Sequence, residues 1–209
     1  GLAITDGWSR TARRLYDDFP ISVALVPGKR CLGGMLELLM HCRFVVADEG
    51  TRFGWPEVTI PVVPGMEACH WPLRRAGSDD WPKLLQLLLN GRPVQAPDAV
   101  GWLIDHAAPL EEAIQTAWSV ARTGHGLVER PLETSPLKDV PTGVAGLVDA
   151  DSPAMEAARK AILDCVHDAC GASSDDALGI SARRAADFLA GPVCRGGAVG
   201  AEYAKTMMV

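Results

Sequence analysis

The sequence predicts an α/β protein with a helical C-terminal extension. Two short apolar runs rich in β-branched residues, Ile21–Val26 and Arg43–Ala47, are typical of buried strands. Between them, paired glycines followed by closely spaced leucines indicate a tight loop that enters a helix. Two strands joined by a helix predict a crossover connection and parallel pairing. Beyond residue 150, the sequence pattern favours helices.

The N-terminal elements follow from the same patterns. A helix is expected over residues 5–18, and Pro20 ends it. Its predicted buried face consists of five apolar residues at helical spacing: Trp8, Ala12, Leu15, Tyr16 and Phe19. The stretch 48–65 is interrupted by glycine and proline and is expected to be an irregular loop. Loops on a rigid scaffold are where catalytic residues concentrate.

Short elements are predicted for the middle of the chain. Ser78 is expected to cap a helix that runs to about Leu89. Three further elements are expected after it: a short helix at 97–102, a short strand at 103–107 and a helix at 110–122.

The composition changes near residues 125–150, where glycine and proline are frequent. We therefore predict an α/β core (1–125), a linker (126–151) and a helical C-terminal region (152–209). The helices of this last region are expected near 152–170, 175–190 and 198–208. Their predicted apolar anchors, which the core alone is not expected to bury completely, are Ile162, Val166, Leu178, Phe188, Val199 and Tyr203.

Composition also argues against several classes of function. The chain has 209 residues, a net charge of −6 and no basic run, which argues against nucleic-acid binding. No apolar run has membrane-spanning length and the first residues lack a signal-peptide pattern, so we expect a cytoplasmic protein. The six cysteines are expected to be buried free thiols. Cys165, His167 and Cys170 are not expected to bind a metal, because helical residues two apart point in different directions.

A candidate site begins at the predicted helix entry. Gly33 and Gly34 let the backbone approach a ligand closely, and the first N–H groups of a helix can stabilise negative charge on a carbonyl oxygen. Glu37 lies three residues after Gly34, one turn on and on the same face. Considered alone, Glu37 is equally well explained as a first-turn glutamate that interacts with the helix dipole.

Glu57 is the second candidate, between Pro56 and Val58. A carboxylate in a rigid apolar loop is poorly solvated, which should raise its pKa toward the range that a general acid needs near neutral pH. On composition alone, a glutamate in a surface turn is the commoner explanation.

Together these segments resemble the crotonase superfamily of enoyl-CoA hydratases and isomerases. The family pattern is a strand, G-x-x-L-G-G-G-x-E-L, a helix, a second strand, F-G-x-P-E and an I-P-G turn. This sequence has ISVALV, CLGGMLEL, RFVVADEG, TRFGWPEV and VVPG in the same order. The two glutamates are 20 residues apart, as in the two-glutamate hydratases of the family. The resemblance runs from about Pro20 to Ala107.

The resemblance implies a crotonase-like core built of ββα units, lacking its N-terminal part. It further implies a lyase that hydrates an α,β-unsaturated acyl-CoA thioester. Glu37 and Glu57 match the two catalytic glutamates, one for the water at Cβ and one for the proton at Cα. Gly34 matches the glycine whose N–H is one of two oxyanion donors. Seven neighbours are expected to bind the substrate: Leu32, Gly33, Met35, Trp55, Pro64, Gly65 and Met66.

The resemblance also predicts the partners. The expected ligand is an acyl-CoA thioester, with coenzyme A as part of the substrate and no separate cofactor or metal. Family members usually form trimers or dimers of trimers through the C-terminal region. We therefore expect a homo-trimer or hexamer, with residues 152–209 as an oligomerisation or lid region.

Three departures from the family pattern affect these expectations. The family's first oxyanion donor lies in an upstream F-x-A-G-x-D-like loop that this sequence lacks, so we expect a truncated or partnered chain, with Gly1 as the remnant of that loop. Met35 replaces the third glycine and is expected to narrow the acyl pocket. The loop 66–71 should line the acyl site, and in this sequence larger residues replace the usual small ones there. Two of these residues, Glu67 and His70, could add acid–base groups, although a structural role is commoner for such residues.

These departures leave alternatives open. An isomerase of the same superfamily typically needs only the carboxylate that matches Glu57. A hydrolase of a cyclic oxo-acyl-CoA would suit the unusual loop 66–71. A non-catalytic subunit or fragment would explain the missing oxyanion loop.

Overall fold

The computed structural model describes residues 2–195, so the predicted helix at 198–208, with Val199 and Tyr203, lies outside the described residues. The helices are α1 (Leu2–Asp17), α2 (Gly34–Leu39), α3 (Trp71–Arg75), α4 (Trp81–Asn90), α5 (Ala96–Ala99), α6 (Leu110–Thr123), α7 (Pro153–Cys170), α8 (Ser174–Ala190) and α9 (Pro192–Arg195). The strands are β1 (Val23–Val26), β2 (Arg30–Leu32), β3 (Phe44–Asp48), β4 (Arg52–Gly54), β5 (Val94–Gln95) and β6 (His106–Ala108).

The first sheet has the order β1-β3-β6, and both pairs of strands are parallel. Val23 of β1 is paired with Phe44 of β3, which confirms the parallel pairing predicted for the two apolar runs. Val45, Val46 and Ala47 are fully buried, as expected for a strand covered on both faces.

The second sheet has the order β2-β4-β5, with β2 parallel to β4 and β5 antiparallel. The prediction of an irregular stretch over 48–65 was therefore wrong in part. Arg52–Gly54 forms a strand, and Pro56–Thr59 forms a 3₁₀ helix. Because β2 and β4 are parallel, the residues that follow them meet at one edge of the sheet.

The start of α4 differs from the prediction. Residues Ser78–Asp80 form a separate 3₁₀ turn, and α4 begins at Trp81 with no side-chain cap hydrogen bond. Ser78 therefore does not cap this helix. Proline fits the first turn of a helix, where its missing N–H is not needed, and Pro82 occupies that position here.

The buried face of α1 also differs from the predicted one. Trp8 and Phe19 are about half exposed, at 49% and 50%, whereas Ser9, Ala12 and Arg13 are buried. The helix is rotated toward a charged contact, because Arg13 reaches the buried carboxylate of Glu67.

Helices α7 and α8 confirm the two C-terminal helices predicted within the described range. Of the predicted apolar anchors within the described range, Ile162, Val166 and Leu178 are buried within one chain, and Phe188 is partly buried. Residues 126–151 form no helix or strand. Their apolar side chains nevertheless pack on the same core, among them Leu132, Leu137, Val140, Val144 and Leu147.

Within residues 2–195, no helix has the length and apolar character needed to cross a bilayer. The cysteines are free thiols, and Cys194 alone among the six is not buried. In the same described range, no group of three or more His, Cys, Asp or Glu side chains is arranged to hold a metal ion.

Candidate active site

The candidate site is built on the turn that joins β2 to α2. Gly33 has a φ of 56°, in the left-handed region that favours glycine, and its N–H donates to the carbonyl of Gly54 (2.9 Å). A Cβ atom on Gly33 would lie 2.9 Å from Oε1 of Glu57. Glycine is therefore required both by the backbone conformation and by the carboxylate packed against it.

Glu37 lies in the first turn of α2 and is almost completely buried (3% exposed). Its Oε1 accepts hydrogen bonds from the backbone N–H groups of Met66 (2.9 Å) and Ala68 (3.0 Å). Burial raises the pKa of Glu37 to about 7, although the two hydrogen bonds oppose that rise. The side chain is thus held in one position by backbone 29 and 31 residues further along the chain.

Glu57 lies in the 3₁₀ helix that follows β4 and is half-buried. Its Oε2 is buried, and among the described residues it has no hydrogen-bond partner. Burial raises the pKa of Glu57 to about 8, and the nearby charge of Glu37 contributes to the rise. The parallel pairing of β2 and β4 thus places the Glu57 carboxylate against Gly33, at the turn that leads to Glu37.

The surroundings of the two carboxylates separate their chemical roles. The backbone donors on Glu37 favour its ionised form, and the negative charge of Glu37 favours the protonated form of Glu57. Burial raises both pKa values, so the hydrogen bonds distinguish the two residues. Glu37, with two backbone donors, is suited to accept a proton, and Glu57, with none on Oε2 among the described residues, is suited to deliver one.

Gly34 is the first residue of α2, so its N–H belongs to the group of helix N–H donors that have no partner within the helix. A Cβ atom on Gly34 would lie 2.8 Å from the methyl carbon of Met66. The Met66 side chain therefore lies against Gly34, while the Met66 backbone binds Glu37. The three predicted catalytic residues share one neighbourhood with Gly33 and Met66.

The other predicted binding residues are placed differently. Met35 is exposed (58%), and Leu32 is half-buried beside the turn. Trp55 is completely buried in the core, and Pro64 is also buried. Gly65 faces Thr5 of α1, because a Cβ atom there would lie 3.0 Å from the Thr5 methyl carbon.

The loop 66–71 lines the site only in part. Met66 faces Gly34, but Glu67 and His70 are fully buried in a charged cluster with Arg13 and His41. The sequence analysis did not identify Arg13 or His41. Arg13 lies outside the apolar face predicted for α1, so we found no sequence signal for it, and none for His41.

Sequence comparison relates the chain to enzymes of acyl-CoA metabolism. No protein-family model matches it. A probable enoyl-CoA hydratase of Rhizobium meliloti (strain 1021) is 39% identical over 95 residues, which are 43% of this chain and 36% of that protein. The peroxisomal bifunctional enzyme of Cavia porcellus is 33% identical over 130 residues, 59% of this chain and 17% of that enzyme. The chain thus spans about a third or less of the length of these two relatives.

Solved structures share the fold. The enoyl-CoA hydratase from Rhodobacter sphaeroides 2.4.1 has a TM-score of 0.61 at 19% identity, covering 87% of this chain and 60% of that one. A carnitinyl-CoA dehydratase from Mycobacterium thermoresistibile has a TM-score of 0.61 at 21% identity, covering 90% of this chain and 64% of that one. Nearly all of this chain therefore has the fold of these two structures, but it covers only 60% and 64% of their lengths.

Proposed function

We propose that this chain, which belongs to the crotonase superfamily, catalyses the reversible hydration of an α,β-unsaturated acyl-CoA thioester. One observation carries the proposal. Two carboxylates with raised pKa values, Glu37 and Glu57, lie around a glycine turn that presents backbone N–H groups. Glu37 accepts two backbone hydrogen bonds, whereas Oε2 of Glu57 has no hydrogen-bond partner among the described residues.

In the proposed reaction, the N–H of Gly34 and the carboxyl groups of Glu37 and Glu57 each have one role. The N–H of Gly34 polarises the thioester carbonyl and stabilises the enolate oxygen, an effect typically worth about 10²–10³-fold in rate for each such donor. Glu37 removes a proton from water while the water oxygen forms a bond to Cβ, and the electrons of the Cα=Cβ bond move toward the carbonyl. Glu57 then gives its proton to Cα. Dehydration follows the same steps in reverse.

The partners belong to the same proposal. The substrate is an acyl-CoA thioester, and no cofactor is needed beyond its coenzyme A portion. We propose a cytoplasmic homo-trimer or hexamer. Free cysteines suit a reducing compartment. An exposed apolar stripe on α6 supports assembly; it consists of Leu110, Ile114 and Trp118.

The first prediction tests both glutamates. Glu37→Gln and Glu57→Gln keep the size of each side chain but remove its ability to transfer a proton. Each is expected to lower kcat for hydration of 2-butenoyl-CoA by about 10²–10⁴-fold. The double variant is expected to lose less than the product of the two effects, because the residues act as one unit. Loss of the thioester-conjugated absorbance measures the rate.

Glu111→Gln, on the exposed side of α6, is the matched control and should retain wild-type activity. A normal hydration rate in Glu37→Gln together with a large loss in Glu57→Gln would favour the isomerase alternative. If neither change affected turnover, the catalytic assignment of this site would be wrong.

A further inference from the structure

A buried cluster of ionisable side chains lies behind Glu37. It consists of Arg13, His41, Glu67 and His70. We propose that Glu67 is a positioning residue of this site, whose carboxylate, held by Arg13 and His41, fixes the Met66–Ala68 backbone that holds Glu37. The inference rests on the proposed function and deepens it, because it explains how the proposed base is kept in place.

The backbone of Glu67 gives the first argument. Its φ is 81°, a conformation that is uncommon for a residue other than glycine and that persists where the surroundings determine it strongly. The N–H groups on either side of it, those of Met66 and Ala68, converge on Oε1 of Glu37. Backbone N–H groups next to a left-handed residue form a concave site for anions. The unusual conformation of Glu67 is therefore what lets both N–H groups reach one carboxylate oxygen.

The side chain of Glu67 gives the second argument. It is fully buried, and Nε of Arg13 lies 3.0 Å from each of its oxygens, with a further contact from the same guanidinium to Oε1. Nε2 of His41 lies 3.0 Å from Oε2, and Nε2 of His70 lies 3.2 Å from Oε1. Burial alone would raise the pKa of Glu67, but the close contacts with His41, His70 and Arg13 hold it well below its usual range. Glu67 is thus an anion with a fixed position.

Groups from two further elements complete the cluster. Arg74 of α3 donates to Nδ1 of His70 (3.2 Å), so His70 can donate only from Nε2, on the side of Glu67. Asp175 of α8 forms an ion pair with Arg13 (3.1 Å). The cluster therefore ties the loop 66–71 to α1, α3 and α8 at once.

His41 connects Glu67 to Glu37 by a second route. Its Nδ1 lies 2.8 Å from the main-chain carbonyl oxygen of Glu37, while its Nε2 faces Glu67. The ring packs against Trp71, with 4.4 Å between the ring centroids, which restricts its orientation. Both the side chain and the main chain of Glu37 are thereby linked to Glu67.

Removing Glu67 would have two opposite effects on Glu37. Loss of the nearby negative charge would lower the pKa of Glu37, whereas loosening of the two N–H bonds would raise it. The N–H groups of Ala68 and Met66 bind the Glu37 carboxylate directly, whereas Glu67 acts on it only through its charge. If Glu67 positions the loop, its removal should therefore raise the pKa of Glu37. If Glu67 acts only through its charge, its removal should lower the pKa of Glu37.

The test follows the Glu37 carboxyl carbon and the Met66 and Ala68 amides by NMR across pH, using the full chain. Wild type should show both amides moving with one step near the Glu37 pKa of about 7. Glu67→Gly keeps a residue suited to the left-handed backbone but removes the carboxylate. The double change R13M/E67Q removes a buried ion pair together, which avoids an uncompensated charge. Glu49→Gly, in an exposed turn, is the control.

In both variants we expect the Glu37 titration to move upward by about one pH unit. Hydration of 2-butenoyl-CoA should fall by about 10–100-fold in kcat with little change in KM, as for a misplaced catalytic group. An unchanged or lowered Glu37 titration in a folded variant would overturn the inference, and so would wild-type amides that do not respond to pH. A wild type that titrates as expected but does not hydrate the thioester would reject the proposed function and leave the Glu67–Glu37 link standing.

Discussion

Glu37 and Glu57 differ in the hydrogen bonds that their carboxylates receive. Glu37 accepts two backbone N–H groups, whereas Oε2 of Glu57 is buried without a partner among the described residues. An ionised carboxylate that lacks donors in a buried site is unfavourable, so Glu57 keeps its proton to a higher pH than Glu37 does. The proposed difference between base and acid thus rests on the loop 66–68, whose backbone N–H groups bind Glu37.

The pH dependence of hydration is a prediction at this scale. The rate should rise with pH as Glu37 ionises, and it should fall as Glu57 loses its proton, which gives a maximum between about 7 and about 8. The two apparent values belong to the pair, because the groups interact. A pH profile of kcat/KM with 2-butenoyl-CoA measures both limbs. Glu57→Gln should lose the alkaline limb, and a flat wild-type profile from pH 5 to 9 would contradict the assignment.

The residues of the candidate site could be proposed from the sequence, whereas the contacts that hold them in place could not. The motif around Gly33, Gly34 and Glu37 and the second motif at Glu57 are local in sequence, so spacing could identify them. The ion pair between Arg13 and Glu67 joins residues 54 positions apart. Their partnership depends on how α1 packs against the loop 66–71, and no local pattern carries that information.

Among the elements, the strands with long apolar runs were predictable, whereas the very short strands β2 and β4 were not. β1 and β3 have enough β-branched residues to be recognised and were paired correctly. β2 and β4 are three residues each and carry exposed arginines at their starts, so they have no apolar signal of their own. Their pairing is stabilised by tertiary context, and it is this pairing that brings Gly33 and Glu57 together.

Helix starts provide a prediction at the element scale. The hydroxyl of Ser152 accepts the N–H of Met155, and the hydroxyl of Ser173 accepts the N–H of Asp176. Ser152→Ala and Ser173→Ala should each lower the free energy of unfolding by about 1 kcal/mol, the usual contribution of an N-cap. Urea unfolding followed by circular dichroism measures the loss.

Ser78→Ala is the matched control for these two caps. Ser78 is exposed and does not cap α4, so its replacement should change the free energy of unfolding by less than about 0.5 kcal/mol. If Ser78→Ala lowered the free energy of unfolding as much as Ser152→Ala and Ser173→Ala do, Ser78 would cap the helix as the sequence predicted. That result would contradict the observed start of α4.

At the scale of the whole molecule, the C-terminal helices share one core with the sheets. Ile162 and Val166 of α7 belong to the same buried cluster as Leu36 of α2 and Val45 of β3. The glycine- and proline-rich stretch at 126–151 suggested a separation that its packing does not show. The composition of this segment indicates that it lacks helices and strands. Composition does not indicate which surface the segment covers, because that depends on how the whole chain folds.

A shared core predicts that the chain unfolds as one cooperative unit. Ile162 is completely buried, so Ile162→Ala should lower the free energy of unfolding by about 2–5 kcal/mol through lost apolar contact and the cavity left behind. Ile4 of α1 is 67% exposed, and Ile4→Ala, the same chemical change, should cost about 0.5 kcal/mol or less. Urea unfolding monitored by tryptophan fluorescence and by circular dichroism should give coincident single transitions for both variants. A change within a shared core must shift the unfolding of everything packed around it. Separate transitions, with Ile162→Ala affecting only one of them, would therefore indicate that α7 and α8 fold independently of the sheets.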